Sequence, residues 1–151
     1  MKDEREMIKL KNVSFRYNSE QEQISEVSLS VKKGEFIILT GPSGCGKTTL
    51  TRMINGLIPH FYEGRLTGEL FLNGQNAEDL QPWNFGKLIG SVFQDPKSQF
   101  FAAVAEDEIA FGCENYGVSA KEIKDRVDEL SEALCIRPLL LRDLLTLSSG
   151  E

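Results

Sequence analysis

The stretch GPSGCGKTTL, residues 41–50, constrains the fold of this 151-residue chain more than any other. Gly41 to Thr48 match the pattern G-x-x-x-x-G-K-[ST], and the apolar run FIIL, residues 36–39, comes shortly before it. That pattern predicts a phosphate-binding loop where it joins a strand to a helix. Because FIIL is apolar without alternation, it predicts a parallel strand buried on both faces. The stretch therefore favours an α/β fold built around a phosphate site.

Each residue type in the loop suits the binding of a nucleoside triphosphate. Glycines let the backbone wrap closely around an anion, so that N–H groups point inward while the following helix presents its positive end. Lys47 supplies a point charge for the β- and γ-phosphates, Thr48 a hydroxyl for Mg2+, and Thr49 a donor for the α-phosphate. The alternative is a glycine-rich turn that binds nothing. The predicted nucleotide-binding residues are Gly41, Pro42, Ser43, Gly44, Cys45, Gly46, Lys47, Thr48 and Thr49.

The composition argues against several other classes of protein. Hydrophobic residues make up 40% and charged residues 26% of the chain, as in a soluble globular protein. The net charge of -6 argues against binding nucleic acid over a broad surface. The chain has no apolar window of membrane-spanning length, and its first residues are too polar for a secretory signal, so we expect a cytoplasmic protein. The cysteines at 45, 113 and 135 lack metal-ligand spacing and are expected to be reduced.

Alternating segments on both sides of the loop predict further strands. IKLKNVSFRY, residues 8–17, and VSLSV, residues 27–31, are expected to pair as antiparallel strands, with a bulge at Lys11 and Asn12. GELFLNG and LIGSVFQ predict two more strands. Together with FIIL, these segments predict an antiparallel β-subdomain and part of a parallel core sheet, which we place in residues 1–94.

Helical periodicity begins inside the loop motif and returns after Gln94. VAEDEIAFGCENYG and SAKEIKDRVDELSEALCI predict two helices in a helical subdomain of residues 95–151. Ser119 and Glu122 have capping-box spacing at the start of the second of these helices. The predicted buried stripe of that helix is Ile123, Val127, Leu130 and Leu134, and that of the helix after the loop is Leu50, Met53, Ile54 and Leu57.

Four stretches, in their order along the chain, resemble a known family. They are VSFRY, GLIPHFYEGRLTGELFLNG, VFQDPKSQFFAAVAEDEIAFGCENYGV and the terminal LSSGE. They are similar to the ATP-binding subunits of ABC transporters, most closely to those of the energy-coupling-factor importers for vitamins and metal ions. The resemblance covers essentially the whole chain. It implies the P-loop NTPase fold of ABC type and an ATPase that uses ATP with Mg2+.

The resemblance assigns tasks to residues outside the loop. Tyr17 matches the aromatic residue that stacks on adenine, a task that suits its π-face. Gln94 matches the Gln-loop residue, whose amide reaches Mg2+ and the attacking water. Lys47 and Gln94 are thus the implied catalytic residues, and Thr48 and Gln94 the implied Mg2+ ligands. The alternatives are a core aromatic at Tyr17 and an ordinary turn glutamine at Gln94.

The terminal LSSGE matches the family signature. In that motif, the Ser148 hydroxyl and the Gly150 N–H are implied to bind the γ-phosphate held by a second subunit. Ser149 and Glu151 stand where the commonest form of the motif has glycine and glutamine. A side chain at Ser149 restricts a backbone that glycine would leave free.

Two other groups of polar residues are not assigned to the site. His60 lies just after the helix that follows the loop, whereas the family's switch histidine lies well beyond the signature, so we expect His60 to face the surface or a partner. Glu106, Asp107 and Glu108 are interpreted as a solvated helix face rather than as metal ligands.

The resemblance also implies partners for the protein. Two ATPase subunits, identical or paralogous, would pair head to tail and drive a membrane-embedded importer, which the Gln-loop region contacts from the cytoplasmic face of the membrane. In the family the catalytic glutamate and further core strands follow the signature. The chain is therefore interpreted as the N-terminal part of such a subunit, inactive alone and with FIIL lacking its sheet neighbours. Alternatives are a soluble ABC ATPase without a membrane partner and a nucleotide-binding fragment without catalysis.

Overall fold

The computed structural model describes residues 5–18, 22–148 and 150. The chain divides into two compact units, Met1–Ser91 and Val92–Glu151. Within the described residues, the first unit contains an antiparallel sheet with the strand order β2-β1-β3-β4. Its strands are β1 (Glu6–Tyr17), β2 (Glu22–Lys32), β3 (Gly64–Leu72) and β4 (Gln75–Asn76).

The predicted pairing of the first two strands and the bulge between them are confirmed. The register of β1 against β2 shifts between Leu10 and Val13, around the residues predicted to form the bulge. Asn12 has a left-handed backbone, with φ 48. Its N–H donates to the Ser28 hydroxyl at 2.9 Å, and that hydroxyl donates to Asn12 Oδ1 at 3.0 Å. Side-chain hydrogen bonds thus replace the ladder contacts that the bulge interrupts.

The described part of the first unit also contains three α-helices and a 3-10 turn at Ala77–Asp79; the α-helices are α1 (Lys47–Ile54), α2 (Leu57–His60) and α3 (Pro82–Leu88). The predicted helix after the loop is confirmed as α1, which buries Leu50 and Met53, whereas Ile54 and Leu57 are half-buried. The remaining buried residues of this core come from the sheet, from α2 and α3, and from the chain just before α3. The core consists of Leu10, Val13, Phe15, Ile24, Leu50, Met53, Ile58, Leu70, Leu72, Leu80 and Phe85.

The strands predicted at FIIL and LIGSVFQ are absent from the described structure, whereas the expectation that FIIL lacks its sheet neighbours is confirmed. FIIL forms no strand, and Phe36 and Ile38 are 88% and 69% exposed. LIGSVFQ forms no strand either, because α3 extends to Leu88 and Val92 is 90% exposed. Every strand pair in the described residues is antiparallel. A parallel strand needs neighbours to pair its backbone groups and cover both faces. None of the described strands pairs with these two segments. Phe36, Ile38 and Val92 therefore face solvent, whereas Leu88 and Ile89 pack partly against the core of the first unit.

The second unit is helical, as predicted. Its main helices are α4 (Ala105–Asn115) and α5 (Ala120–Ala133), and the Ser119 hydroxyl caps α5 by accepting the Glu122 N–H at 3.3 Å. Short 3-10 turns lie at Pro96–Gln99, Arg137–Leu139 and Leu144–Thr146. A small core consists of Ala105, Leu144 and Leu147, with Phe100 and Leu139 packed against it.

The predicted buried stripe of α5 is only partly correct. Val127 is buried and Ile123 is half-buried, but Leu130 and Leu134 are 48% and 64% exposed. Within the unit, α5 packs against α4 and against the 3-10 turn at Arg137–Leu139. These neighbours cover one part of the apolar face and leave the two leucines in contact with solvent.

Candidate nucleotide-binding site

The predicted phosphate loop, residues 41–46, leads directly into α1. Gly41, Gly44 and Gly46 have φ values of 148, 80 and 94, which L-residues with side chains rarely adopt. At Gly46 a Cβ atom would lie 2.7 Å from the Gln23 carbonyl oxygen. The same Cβ would lie 2.8 Å from Ile24 Cδ1. The glycine therefore allows the start of α1 to approach β2 closely.

Alanine substitutions at two loop glycines should separate backbone strain from this close approach. Gly44→Ala places its methyl group in open space, so we expect a destabilisation of about 1–2 kcal/mol from the positive φ alone. Gly46→Ala adds the clash with β2 and should cost about 3 kcal/mol or more. Urea denaturation of both variants measures the difference. Equal losses of stability would show that the close contact with β2 does not exclude a side chain at position 46.

The Lys47 side chain folds back over the loop that precedes it. Its ammonium donates to the carbonyl oxygens of Gly41 and Pro42, each at 2.8 Å, and to Cys45 Sγ at 3.4 Å. The first turn of α1 contains no acidic residue. The free N–H groups at the start of a helix and a nearby ammonium both favour an anion. The loop is thus suited to bind phosphate.

The two threonines after Lys47 face different surroundings. Thr48 is exposed on the first turn of α1, whereas Thr49 is buried and its hydroxyl lies 3.4 Å from the Tyr17 hydroxyl, in hydrogen-bond contact. The described residues include no cluster of His, Cys, Asp and Glu that could hold a metal ion. Mg2+ characteristically keeps several waters and takes phosphate oxygens as ligands. The exposed Thr48 hydroxyl is an oxygen ligand of the type that Mg2+ accepts.

Tyr17 lies at the end of β1 and connects the sheet to α1. Its half-buried ring packs edge-on against Phe15, with centroids 4.7 Å apart and planes at 84°. Its hydroxyl accepts a hydrogen bond from Arg52 Nη1 at 3.3 Å, in addition to the contact with Thr49. The ring is thus partly a core residue and partly accessible. The sequence did not indicate the contacts with Arg52 and Thr49, which join residues distant along the chain.

The predicted Gln-loop and signature residues lie together in the second unit. Gln94, Ser148 and Gly150 all line one cavity of about 550 Å³. Gln94 and Ser148 are exposed, and Leu147 is buried. Ser149 and Glu151, where the signature departs from its commonest form, lie outside the described residues. Most of the cavity wall is apolar and includes Phe100, Ile109, Ile136, Leu139, Leu140, Leu144 and Leu147.

The interpretation of Glu108 as part of a solvated face is wrong. Its carboxylate accepts the N–H groups of Phe101 and Ala102, at 2.9 and 2.8 Å. An acidic side chain in the first turn of α4, with the chain entering from a loop, is the signal that could have indicated this role. His60 is exposed, as expected, and its ring meets the ring of Phe85 edge-on with centroids 5.8 Å apart.

The cysteines are free thiols, as expected. Cys113 Sγ accepts a hydrogen bond from Arg126 Nη1 at 3.7 Å. This hydrogen bond, followed by the charge of Glu122, raises the pKa of Arg126 above its ordinary value. The contact between the two side chains joins α5 to α4.

The glycine loop entering α1 beside an antiparallel sheet, followed by a helical unit, defines a P-loop protein of ABC type. Residues 24–151 match the model of the ABC transporter family, and the chain belongs to that family. Within the described residues, no helix has the length and apolar character needed to cross a bilayer.

Three known proteins illustrate the relationship. The chain is 45% identical over 146 residues to an ABC transporter ATP-binding protein of Treponema denticola, which covers 96% of the chain and 30% of that protein. It is 37% identical over 147 residues to the energy-coupling factor transporter ATP-binding protein EcfA1 of Streptococcus pneumoniae, covering 96% of the chain and 52% of that protein. The solved structure of cbiO1 from Clostridium perfringens, part of the ABC transporter complex cbiONQ, superposes with a TM-score of 0.81 at 27% identity. That match covers 97% of the chain and 57% of cbiO1, so the chain spans about a third to somewhat over half of these relatives.

Proposed function

We propose that the chain is the nucleotide-binding part of the ATPase of an energy-coupling-factor importer, which couples MgATP binding and hydrolysis to uptake of a vitamin or metal ion. The observation that carries the proposal is the loop of residues 41–46, which enters α1 beneath the Lys47 ammonium in a chain of the ABC family. The similarity to EcfA1 and cbiO1 supports the importer subtype.

The proposed substrate is ATP with its Mg2+ ion. The N–H groups of the loop and of the first turn of α1 hold the phosphates. Lys47 exchanges its contacts with the carbonyl oxygens of Gly41 and Pro42 for hydrogen bonds to the β- and γ-phosphates, in which donor and acceptor are both charged. Thr48 presents its hydroxyl to the Mg2+ that accompanies the nucleotide.

Tyr17 is proposed to stack on the adenine ring. Tyr17→Ala should then weaken MgATP binding about fivefold or more, because the stacking of a base on an aromatic ring contributes about 1–3 kcal/mol. The matched control is Tyr17→Phe, which keeps the ring and removes the hydroxyl that contacts Thr49 and Arg52. Titration with a fluorescent ATP analogue measures both affinities. If the two variants bind equally weakly, the hydroxyl network and not the ring supports the nucleotide.

The proposed ATPase acts as a pair. Two subunits, identical or paralogous, associate head to tail, and the Ser148 hydroxyl and Gly150 N–H of each one contact the γ-phosphate bound by the other. The segment that follows Gln94 contacts the transmembrane subunit, which places the protein peripherally at the cytoplasmic face of the membrane. No nucleic acid takes part in this proposal.

Gln94→Ala tests the coupling step in the longer polypeptide, of the length of the relatives, assembled with its membrane subunit. We expect the dissociation constant for MgATP to stay within about twofold. Turnover should fall about tenfold or more, because Gln94 acts on the water and on the partner rather than on most of the triphosphate. Steady-state phosphate release and nucleotide titration measure the two effects, with exposed Gln75→Ala in β4 as control. An equal loss of binding and turnover would mean that this role of Gln94 is misassigned.

Copurification separates the importer from a soluble ABC ATPase. The longer polypeptide, expressed with the genes beside its own, should be recovered with a membrane protein in detergent. Recovery of an active ATPase free of any membrane protein would favour the soluble alternative.

A further inference from the structure

Lys97 connects two segments of the second unit that lie far apart in sequence. It belongs to the 3-10 turn Pro96–Gln99, shortly after Gln94. Its ammonium donates to the carbonyl oxygens of Leu147 at 3.0 Å and Leu145 at 3.5 Å. Leu147 immediately precedes Ser148. One side chain therefore joins the segment that carries Gln94 to the segment that carries the signature.

The carbonyl oxygens that accept from Lys97 lie at the C-terminal end of a 3-10 turn, where the backbone favours a cation. The 3-10 turn Leu144–Thr146 ends at Leu147. The last carbonyl groups of a helical turn accept no hydrogen bond from within that turn. A lysine at this end meets free carbonyl oxygens and the negative end of the turn. Leu147 itself is buried, and partial removal of water strengthens a charge-assisted hydrogen bond.

The chain just after Lys97 is fixed by other contacts. The Glu108 carboxylate holds the N–H groups of Phe101 and Ala102. The Leu144 N–H donates to the Ala103 carbonyl at 3.0 Å. One end of the segment is thus bound to α4 and to the turn before the signature. At the other end, nearer to Gln94, the Lys97 ammonium makes the contact with the signature segment.

We propose that Lys97 is a positioning residue that couples the Gln-loop to the signature. A displacement of the segment around Gln94 is passed through the ammonium to the backbone that presents Ser148 and Gly150. This inference rests on the proposed function, in which the segment after Gln94 contacts the membrane subunit and the signature contacts the γ-phosphate. Lys97 would link these two contacts. Lys97 itself acts through the backbone and touches no nucleotide.

The test compares Lys97→Met, Lys97→Arg and the wild type in the longer polypeptide assembled with its membrane subunit. In Lys97→Met, amide hydrogens of residues 144–148 should exchange about tenfold faster, and kcat should fall about tenfold, since a hydrogen bond to a charged group is lost. The MgATP dissociation constant should stay within about twofold, because the phosphate loop is unchanged. Lys97→Arg should return both the exchange rate and kcat most of the way to their wild-type values. Lys124→Met, on the exposed face of α5, serves as the matched control.

The outcomes distinguish the contact from the function. Wild-type exchange at residues 144–148 in Lys97→Met would overturn the inference, whatever happens to turnover. Faster exchange with unchanged kcat would overturn the coupling role. A wild-type polypeptide without MgATP hydrolysis would instead overturn the proposed function. The exchange rates alone would then show whether Lys97 stabilises residues 144–148.

Discussion

Replacing Lys47 with alanine is expected to weaken MgATP binding by roughly 100-fold or more in the longer polypeptide. The ammonium lies 2.8 Å from two carbonyl oxygens of the loop and is the charge that the β- and γ-phosphates would meet. Loss of two hydrogen bonds to charged groups removes about 3 kcal/mol or more of binding free energy. Isothermal titration with MgATP measures the change, and the backbone N–H groups that remain account for any residual affinity.

Lys11→Ala is the matched control for this experiment. Lys11 forms an ion pair with Glu69 at 3.0 Å, with both side chains about half exposed, on the sheet rather than on the loop. An exposed pair of this kind contributes at most about 1 kcal/mol to stability, and the nucleotide affinity should not change. An unchanged affinity in Lys47→Ala would contradict the assignment of residues 41–48 as the phosphate loop.

The antiparallel sheet could be predicted because its pattern is local. Alternation in β1 and β2 states which side chains face the core, and a short connection between strands favours their pairing. The bulge was visible for the same reason, since the apolar phase changes at Lys11 and Asn12. The structure adds the Ser28 hydroxyl, which fills the broken ladder and which no pattern indicated.

The segments FIIL and LIGSVFQ were predicted as strands and form none in the described structure. An apolar run such as FIIL indicates that its side chains favour burial, but it does not identify the strands that would cover it. In the structure Phe36 and Ile38 face solvent. Leu130 and Leu134 of α5 show the same limit for a helix, because periodicity defines a face and not the element that packs on it.

The candidate site was predictable wherever one short stretch determines it. The spacing of Gly41, Gly46, Lys47 and Thr48 predicts both the loop and the helix that follows it, and both are present. Contacts across long sequence separations were not predictable. The Lys97 contact with Leu147 spans 50 residues, and its donor has no motif of its own.

The 151-residue chain alone is expected to release phosphate from ATP at the background rate, at least about 100-fold more slowly than the longer polypeptide. In the proposed site, Lys47 and Thr48 hold phosphate and metal, but an amide such as that of Gln94 can only orient a water and cannot accept its proton. In the ABC transporter family, the resemblance implies that the carboxylate that polarises this water follows the signature. A general base contributes about 100-fold or more to such reactions, so binding without hydrolysis is the expected state of the chain.

The exposed FIIL segment is a second reason to expect no hydrolysis above the background rate. Residues 36–39 lead into the loop, and in-line attack on a phosphate requires the loop to be held in one geometry. Because no described strand pairs with this segment, that support is missing on the side of the loop that precedes Gly41. Steady-state phosphate release from the purified chain and from its Lys47→Ala variant checks the expectation. Hydrolysis that disappears in Lys47→Ala would prove it wrong, since a contaminating ATPase would not respond to that substitution.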